Sequence, residues 1–116
     1  MKIELRPTER LIKEGGASLQ RGLETVGGRL FLTNTRLFFQ SHALNVQTGP
    51  TEIGLAQVRG TERRFSKFLG LVPLFPNSLA VLTASGAEYS FILFGRADWE
   101  TAIRETMEMD GPGAVD

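Results

Sequence analysis

The chain has 116 residues, of which 41% are hydrophobic and 22% are charged, so it can form one soluble globular domain but is too short for two. Thirteen basic and thirteen acidic side chains give a formal net charge of zero, which disfavours a strongly basic nucleic-acid-binding protein. The absence of cysteine and the presence of a single histidine, His42, exclude disulfides, thiolate catalysis and multi-histidine metal sites.

The first strand is predicted over residues 10–13 and 17–20, interrupted by glycine, and a β-hairpin follows over residues 26–40. In the hairpin, two apolar runs flank Asn34 and Thr35. Asparagine tolerates left-handed backbone, so a tight connection is expected there. Alternation along the second run places Leu37 and Phe39 on one face and Arg36 on the outer face of the sheet.

Four further runs downstream have the composition of strands. They occupy residues 51–55, 57–64, 79–83 and 88–94. The run at 57–64 is largely polar, as is typical of a strand near the edge of a sheet, and residues 76–78 precede the next run as a turn signal. Seven short strands with hairpin spacing are typical of an antiparallel sandwich or barrel.

The hydrophobic period changes from two to about 3.6 between residues 98 and 109, which predicts an amphipathic helix. Its apolar side chains are Trp99, Ala102, Ile103 and Met107. We expect this helix to close the open end of the bent sheet, with Trp99 as its largest anchor. Glycine and proline then predict a flexible C-terminal tail over residues 111–116, which leaves residues 1–110 as a single domain.

Three segments in the same order carry a family resemblance. They are residues 27–39 (GGRLFLTNTRLFF), 53–58 (IGLAQV) and 91–99 (FILFGRADW). Together they resemble the GRAM domains of the pleckstrin-homology-like superfold, and residues 41–47 resemble the variant found in stand-alone bacterial members. The resemblance implies a mainly β fold, in which seven antiparallel strands form a sandwich or barrel capped by one C-terminal α-helix.

The resemblance also implies a non-catalytic module that binds lipid or protein and needs no cofactor. The residues themselves disfavour an enzyme, because Ser41 and His42 are neighbours on a strand and would point to opposite faces. No glycine-rich nucleotide-binding motif is present. No signal peptide or membrane-spanning stretch is recognisable, so the expected location is the cytoplasm, peripheral to a membrane if lipid is bound.

Cations and apolar side chains alternate over residues 59–75, the segment most suggestive of a contact surface. The candidate contact residues for lipid or a partner are Arg59, Arg63, Arg64, Lys67, Phe68 and Leu69. One hypothesis is attachment to an anionic phospholipid membrane, with each cation contributing about 1 kcal/mol at the headgroups while Phe68 and Leu69 enter the acyl boundary. A second is that residues 68–75 form an apolar patch for a protein partner or a second copy of the chain. A third is that the apolar residues are core and the arginines only border an edge strand.

Charge is distributed unevenly along the chain. Residues 1–67 carry 11 basic and 6 acidic side chains, a net of +5, whereas residues 68–116 carry 2 basic and 7 acidic, a net of −5. A polarised molecule of this kind could orient at a charged surface or pair with a copy of itself. The alternative is a solvated acidic helix beside scattered arginines.

Overall fold

The computed structural model describes residues 2–21, 24–42, 50–67 and 73–110, so the predicted tail at 111–116 lies outside the described residues. Seven strands precede one helix. The elements are β1 Leu11–Arg21, β2 Glu24–Thr33, β3 Arg36–Ser41, β4 Thr51–Gly54, β5 Val58–Lys67, β6 Pro73–Thr83, β7 Glu88–Leu93 and α1 Arg96–Asp110. One turn of 3-10 helix, Leu55–Gln57, joins β4 to β5.

The strands form one antiparallel sheet in the order β4-β3-β2-β1-β7-β6-β5. Each chain neighbour from β1 to β4 and from β5 to β7 pairs as a hairpin, and β1 joins the two groups by pairing with β7. This arrangement confirms the predicted fold class. The polar strand β5 stands at the edge of the sheet, as its composition indicated.

The β2–β3 connection consists of Asn34 and Thr35, as predicted. The Oδ1 atom of Asn34 accepts a hydrogen bond from the backbone N–H of Arg10 at 2.8 Å, and the N–H of Thr35 donates to Oγ1 of Thr33 at 3.1 Å. Further along the hairpin, a Cβ atom at position 28 would lie 2.2 Å from the backbone oxygen of Gln40, so only glycine fits there.

The inner face of the sheet and the apolar stripe of α1 form the core. The helix contributes Trp99 and Ile103, which are 2% and 1% exposed, with Ala102 and Met107 packed at the margin. Trp99 lies against Gly15 of β1, and the amino group of Lys13 sits 5.2 Å from the centre of its ring. The helix therefore closes the sheet with the residues that its periodicity predicted.

The hairpin of β5 and β6 is longer than predicted. β6 begins at Pro73, so the expectation that residues 76–78 form a turn before the strand is wrong. β7 pairs with β6 from Ser78 to Leu82, and before Ser78 β5 is the one strand of the described ranges that pairs with β6. Proline is tolerated on a strand with an unpaired edge, which explains why Pro73 and Pro76 do not end β6. We call residues 65–67 and 73–77 the β5–β6 arm.

Candidate functional site

Four of the six candidate contact residues lie in the described part of the chain, and they are spread along the whole length of β5. Arg59, Arg63 and Arg64 lie on β5, and Lys67 is the last residue of that strand. Phe68 and Leu69 lie outside the described residues, as do residues 70–72 of the candidate apolar patch. Arg59 and Lys67 are eight residues apart, about 26 Å along an extended strand, so they mark two separate regions.

Arg63 and Arg64 point to opposite faces of the sheet. Arg63 pairs across the strands with Leu79, a core residue, and Arg64 pairs with Ser78. On the inner side, Nε of Arg63 donates to Oε1 of Glu100 on α1 at 2.7 Å. At this point the basic strand and the acidic helix are neighbours, so the two oppositely charged parts of the sequence meet within one molecule.

On the outer side, Arg64 donates to two carboxylates. Its Nη1 atom lies 2.8 Å from Oε1 of Glu88, and its Nη2 atom lies 2.9 Å from Oε1 of Glu62. The hydrogen bond to Glu88 has the larger effect and that to Glu62 the smaller, and both raise the pKa of Arg64 above its ordinary value. Both carboxylates are solvent-exposed, and exposed ion pairs stabilise a fold by only about 0.2–1 kcal/mol. An external anion can therefore compete with them.

The base of the β5–β6 arm is held by the first residue of α1. Nη1 of Arg96 donates to the backbone oxygen of Arg64 at 3.0 Å and to that of Ser78 at 3.3 Å. These two carbonyls belong to opposite strands at the last residue pair before the arm. The helix thus fixes where the arm leaves the body of the sheet.

Arg59 lies at the other end of β5, beside a cleft of about 550 Å³ between this strand and α1. The strand side of the cleft comprises Arg59, Gly60 and Thr61, and the helix side includes Ile103 and Arg104. Arg59 and Arg104 are exposed and have no ion-pair partner among the residues that the structure describes. The sequence analysis assigns Arg59 to the same contact surface as Arg63 and Arg64, whereas its surroundings are different.

A buried ion pair between Glu9 and Arg36 was missed by sequence reasoning. Arg36 lies on the outer face as predicted, but the segment before β1 covers it, and the two side chains are 2% and 6% exposed. Nε of Arg36 donates to Oε2 of Glu9 at 2.7 Å, and Nη2 donates to the backbone oxygen of Glu4 at 3.0 Å. The local pattern could not reveal this contact, because Glu9 is 27 positions away in the chain.

Further donors complete the shell around Glu9. The hydroxyls of Thr33 and Thr35 donate to Oε2 at 2.6 and 3.0 Å, and the N–H of Arg6 donates to Oε1 at 2.9 Å. Arg36, above all, holds the pKa of Glu9 well below its ordinary value of 4.5. The carboxylate is fully used inside the protein, so we interpret this cluster as structural. Thr33 and Arg36 both belong to the segment that carries the family resemblance, which was the one signal that marked them.

His42 and the acidic side chains are the candidates for metal binding in the described part of the chain. His42 is exposed just beyond β3, and its backbone N–H donates to the oxygen of Gly27 at 3.0 Å. Within the described ranges, no three His, Cys, Asp or Glu side chains are grouped so that they could hold a metal ion. The one helix among these residues is neither long nor apolar enough to cross a membrane.

Comparison with known proteins agrees with this architecture. The GRAM domain family model matches residues 1–108. The C-terminal domain of an unknown protein from Leishmania infantum is 22% identical, with a TM-score of 0.70 over 86% of this chain and 85% of that one. The N-terminal PH domain of Vps36 is 19% identical, with a TM-score of 0.62 over 90% and 86%. The PH domain of human oxysterol binding protein-related protein 11 is 12% identical, with a TM-score of 0.64 over the same shares. Curated protein sequences give no significant match.

Proposed function

The chain belongs to the GRAM domain family, and from this premise we propose that it is a non-catalytic binding module that attaches to anionic membrane surfaces through the β5–β6 arm. GRAM and pleckstrin-homology-like domains are generally lipid- or protein-binding modules, which supports a binding role. The contact residues that we propose are Arg63, Arg64, Lys67, Phe68 and Leu69. Arg59 lies too far along β5 to share this contact.

The observation that carries the proposal is the extension of β5 and β6 beyond β7. Among the residues that the structure describes, 73–77 pair with β5 alone, so the arm is a two-stranded element beyond the main sheet. Its strands lead into the sequence FLGLV at residues 68–72, directly after Lys67. Apolar side chains next to a cation form the combination that suits a bilayer interface.

The arginines and the apolar residues are expected to contribute unequally to the free energy of membrane binding. Each cation gains about 1 kcal/mol at an anionic surface, but Arg63 and Arg64 must first give up ion pairs worth about 0.2–1 kcal/mol. Their net contribution is therefore small and sensitive to salt. The larger share of the affinity falls to the apolar side chains, since burying a Phe or Leu side chain contributes about 1.5–3 kcal/mol.

The test is co-sedimentation with vesicles, either purely phosphatidylcholine or containing phosphatidylserine, across a salt series. We expect binding only to the anionic vesicles, weakening as salt rises. Phe68→Asp should abolish it. Phe94→Asp is the matched control, because Phe94 is 90% exposed and lies outside the arm. No binding at low salt, or an equal loss in the control variant, would refute the proposal.

The second candidate is a protein partner or a second copy of the chain on the same arm. It is favoured by the edge of β6 before Ser78, which no described strand pairs on the β7 side, because such an edge can accept another strand. Light scattering coupled to gel filtration distinguishes the two candidates. A dimer that Phe68→Asp converts to a monomer would support self-association, whereas a monomeric protein that binds vesicles would support the membrane. The cytoplasmic location and the stand-alone bacterial type stay predictions.

A further inference from the structure

We propose that the cleft between the start of β5 and α1 is a second binding site, and that it takes a single aliphatic carboxylate. This site is separate from the β5–β6 arm and goes beyond the attachment of the domain to a surface. It is carried by the shape of the cleft, by the apolar residues on its floor and by the balance of charges that remain unpaired around it.

The cleft has the dimensions of a small-molecule site. Its volume of about 550 Å³ lies within the range of about 300–1,000 Å³ typical of such sites. Ile103 and Met107, one helical turn apart on α1, supply the apolar part of the lining. Ile103 belongs to the hydrophobic core and Met107 packs at its margin, so the floor is backed by rigid structure. An aliphatic chain is the group that this floor suits.

The charges around the cleft select an anion. Of the two carboxylates in the lining, Glu100 is already held by Arg63 at 2.7 Å. Glu108, Arg59 and Arg104 also line the cleft, and no ion pair joins any of the three to a partner among the described residues. Two unpaired cations against one unpaired carboxylate favour a singly charged anion. A carboxylate matches the planar donors of a guanidinium, and a doubly charged phosphate would be repelled more strongly by Glu108.

An added β-strand is a poorer occupant of this region. The pairing of β5 with β6 shifts register between Val58 and Gly60 and again after Arg64, so only a short stretch of β5 is regular. That stretch carries Glu62, Arg63 and Arg64, and both bulges and charges on an edge strand oppose pairing with another chain. The helix side of the cleft would also be unused by a backbone that pairs only with β5.

The test uses decanoate below its critical micelle concentration, with no vesicles present, and follows the methyl resonances of Ile103 and Met107. The methyl groups of Ile53 on β4 serve as an internal reference. We expect saturable shifts at the two cleft residues only. Acetate, which lacks the chain, and decyltrimethylammonium, which carries the opposite charge, should leave them unchanged.

Variants sharpen the test, because one of them should increase affinity. Glu108→Gln removes the repelling carboxylate and should tighten decanoate binding about two- to threefold. Glu105→Gln is the matched control, since Glu105 is an exposed residue of α1 outside the cleft lining, and it should have no effect. Arg104→Gln should weaken binding about fivefold, whereas Lys2→Gln, at another exposed cation, should not. A gain of affinity cannot result from damage to the fold.

Unmoved cleft methyl groups with decanoate would overturn the proposal. So would equal shifts with decyltrimethylammonium, or equal effects of Glu108→Gln and Glu105→Gln. Because the experiment contains no membrane, its outcome is independent of the vesicle test on the β5–β6 arm. Failure of one leaves the other standing.

Discussion

Two Arg–Glu pairs in this protein share one Nε–O distance and have opposite surroundings. The Nε–O distance is 2.7 Å both in Arg36–Glu9, on the outer face of β3, and in Arg63–Glu100, between β5 and α1. The first pair is 6% and 2% exposed, and the second is 56% and 19% exposed. Distance alone therefore says little about what an ion pair contributes to stability or function.

Burial decides the difference. Breaking a buried pair leaves a charge without solvent or partner, which costs about 3–5 kcal/mol, whereas an exposed pair contributes about 0.2–1 kcal/mol. The buried pair fastens the segment before β1 to the sheet. The exposed pairs of β5 leave their arginines accessible to solvent, which the proposed contact with an anionic membrane requires.

The largest effect is expected from breaking the buried pair on one side. Arg36→Met should lower the free energy of unfolding by about 3–5 kcal/mol, because the buried Glu9 carboxylate would lose its cation and keep only the uncharged donors, the Thr33 and Thr35 hydroxyls and the N–H of Arg6. Urea denaturation followed by circular dichroism measures it. The double variant Glu9→Gln/Arg36→Met should lose less than the sum of the two single variants, and strict additivity would contradict the coupling.

Acid should weaken the buried pair selectively. The pKa of Glu9 is lowered in the folded protein, chiefly by Arg36, and returns to about 4.5 on unfolding. The stabilisation is thus complete above that value and is lost as the pH falls further, because only the unfolded chain then takes up the proton. We expect the unfolding free energy to fall between about pH 5 and pH 3, and less steeply in Glu9→Gln than in the wild type. Equal slopes of unfolding free energy against pH in the wild type and in Glu9→Gln would exclude Glu9 as the cause. Glu24→Gln, at an exposed carboxylate, is the control and should keep the wild-type slope.

The exposed pairs should behave differently towards stability and binding. Arg63→Gln and Arg64→Gln should each change the free energy of unfolding by less than about 1 kcal/mol. The double variant should nevertheless weaken binding to phosphatidylserine vesicles and flatten its salt dependence, since two cations leave the surface. A stability loss as large as that of Arg36→Met would show that exposure does not separate the two classes of pair.

The smallest effect on stability is expected at Arg59. It is exposed and has no ion-pair partner among the described residues, so Arg59→Gln should change the free energy of unfolding by no more than about 0.5 kcal/mol. Vesicle binding should also be unchanged, because Arg59 lies far from the β5–β6 arm. Reduced vesicle binding would return Arg59 to the arm's contact surface.

The fold was predictable because its signals are local. The Asn34–Thr35 connection and the spacing of Trp99, Ile103 and Met107 each depend on residues within a few positions of one another. β6 was predicted too short, because Pro76 looks like a break until the absence of a neighbouring strand is known. The segment before β1 that covers Arg36 is equally distant in the chain. Alternation of apolar and polar residues separates the two faces of a strand, but it does not predict which face another segment will bury.

The sequence predicted the residue types of the candidate site but not their arrangement in space. The sequence brought Arg59, Arg63, Arg64 and Lys67 together because they are close in the chain. In a strand, neighbours point to opposite faces and eight residues extend about 26 Å, so Arg63 and Arg64 lie on two faces while Arg59 and Lys67 stand at the two ends of β5. The cleft beside α1 joins positions more than forty residues apart, for which the sequence carries no signal.

The place of α1 after all seven strands has a consequence during synthesis. As the chain leaves the ribosome, β1 to β7 emerge before Trp99 and Ile103, the residues that close the core. Until then the hydrophobic core lacks these two side chains, and the nascent sheet presents an apolar surface to its surroundings. Premature termination before Arg96 would therefore yield an aggregation-prone product, and folding of the domain is expected to be completed only after translation has passed the helix.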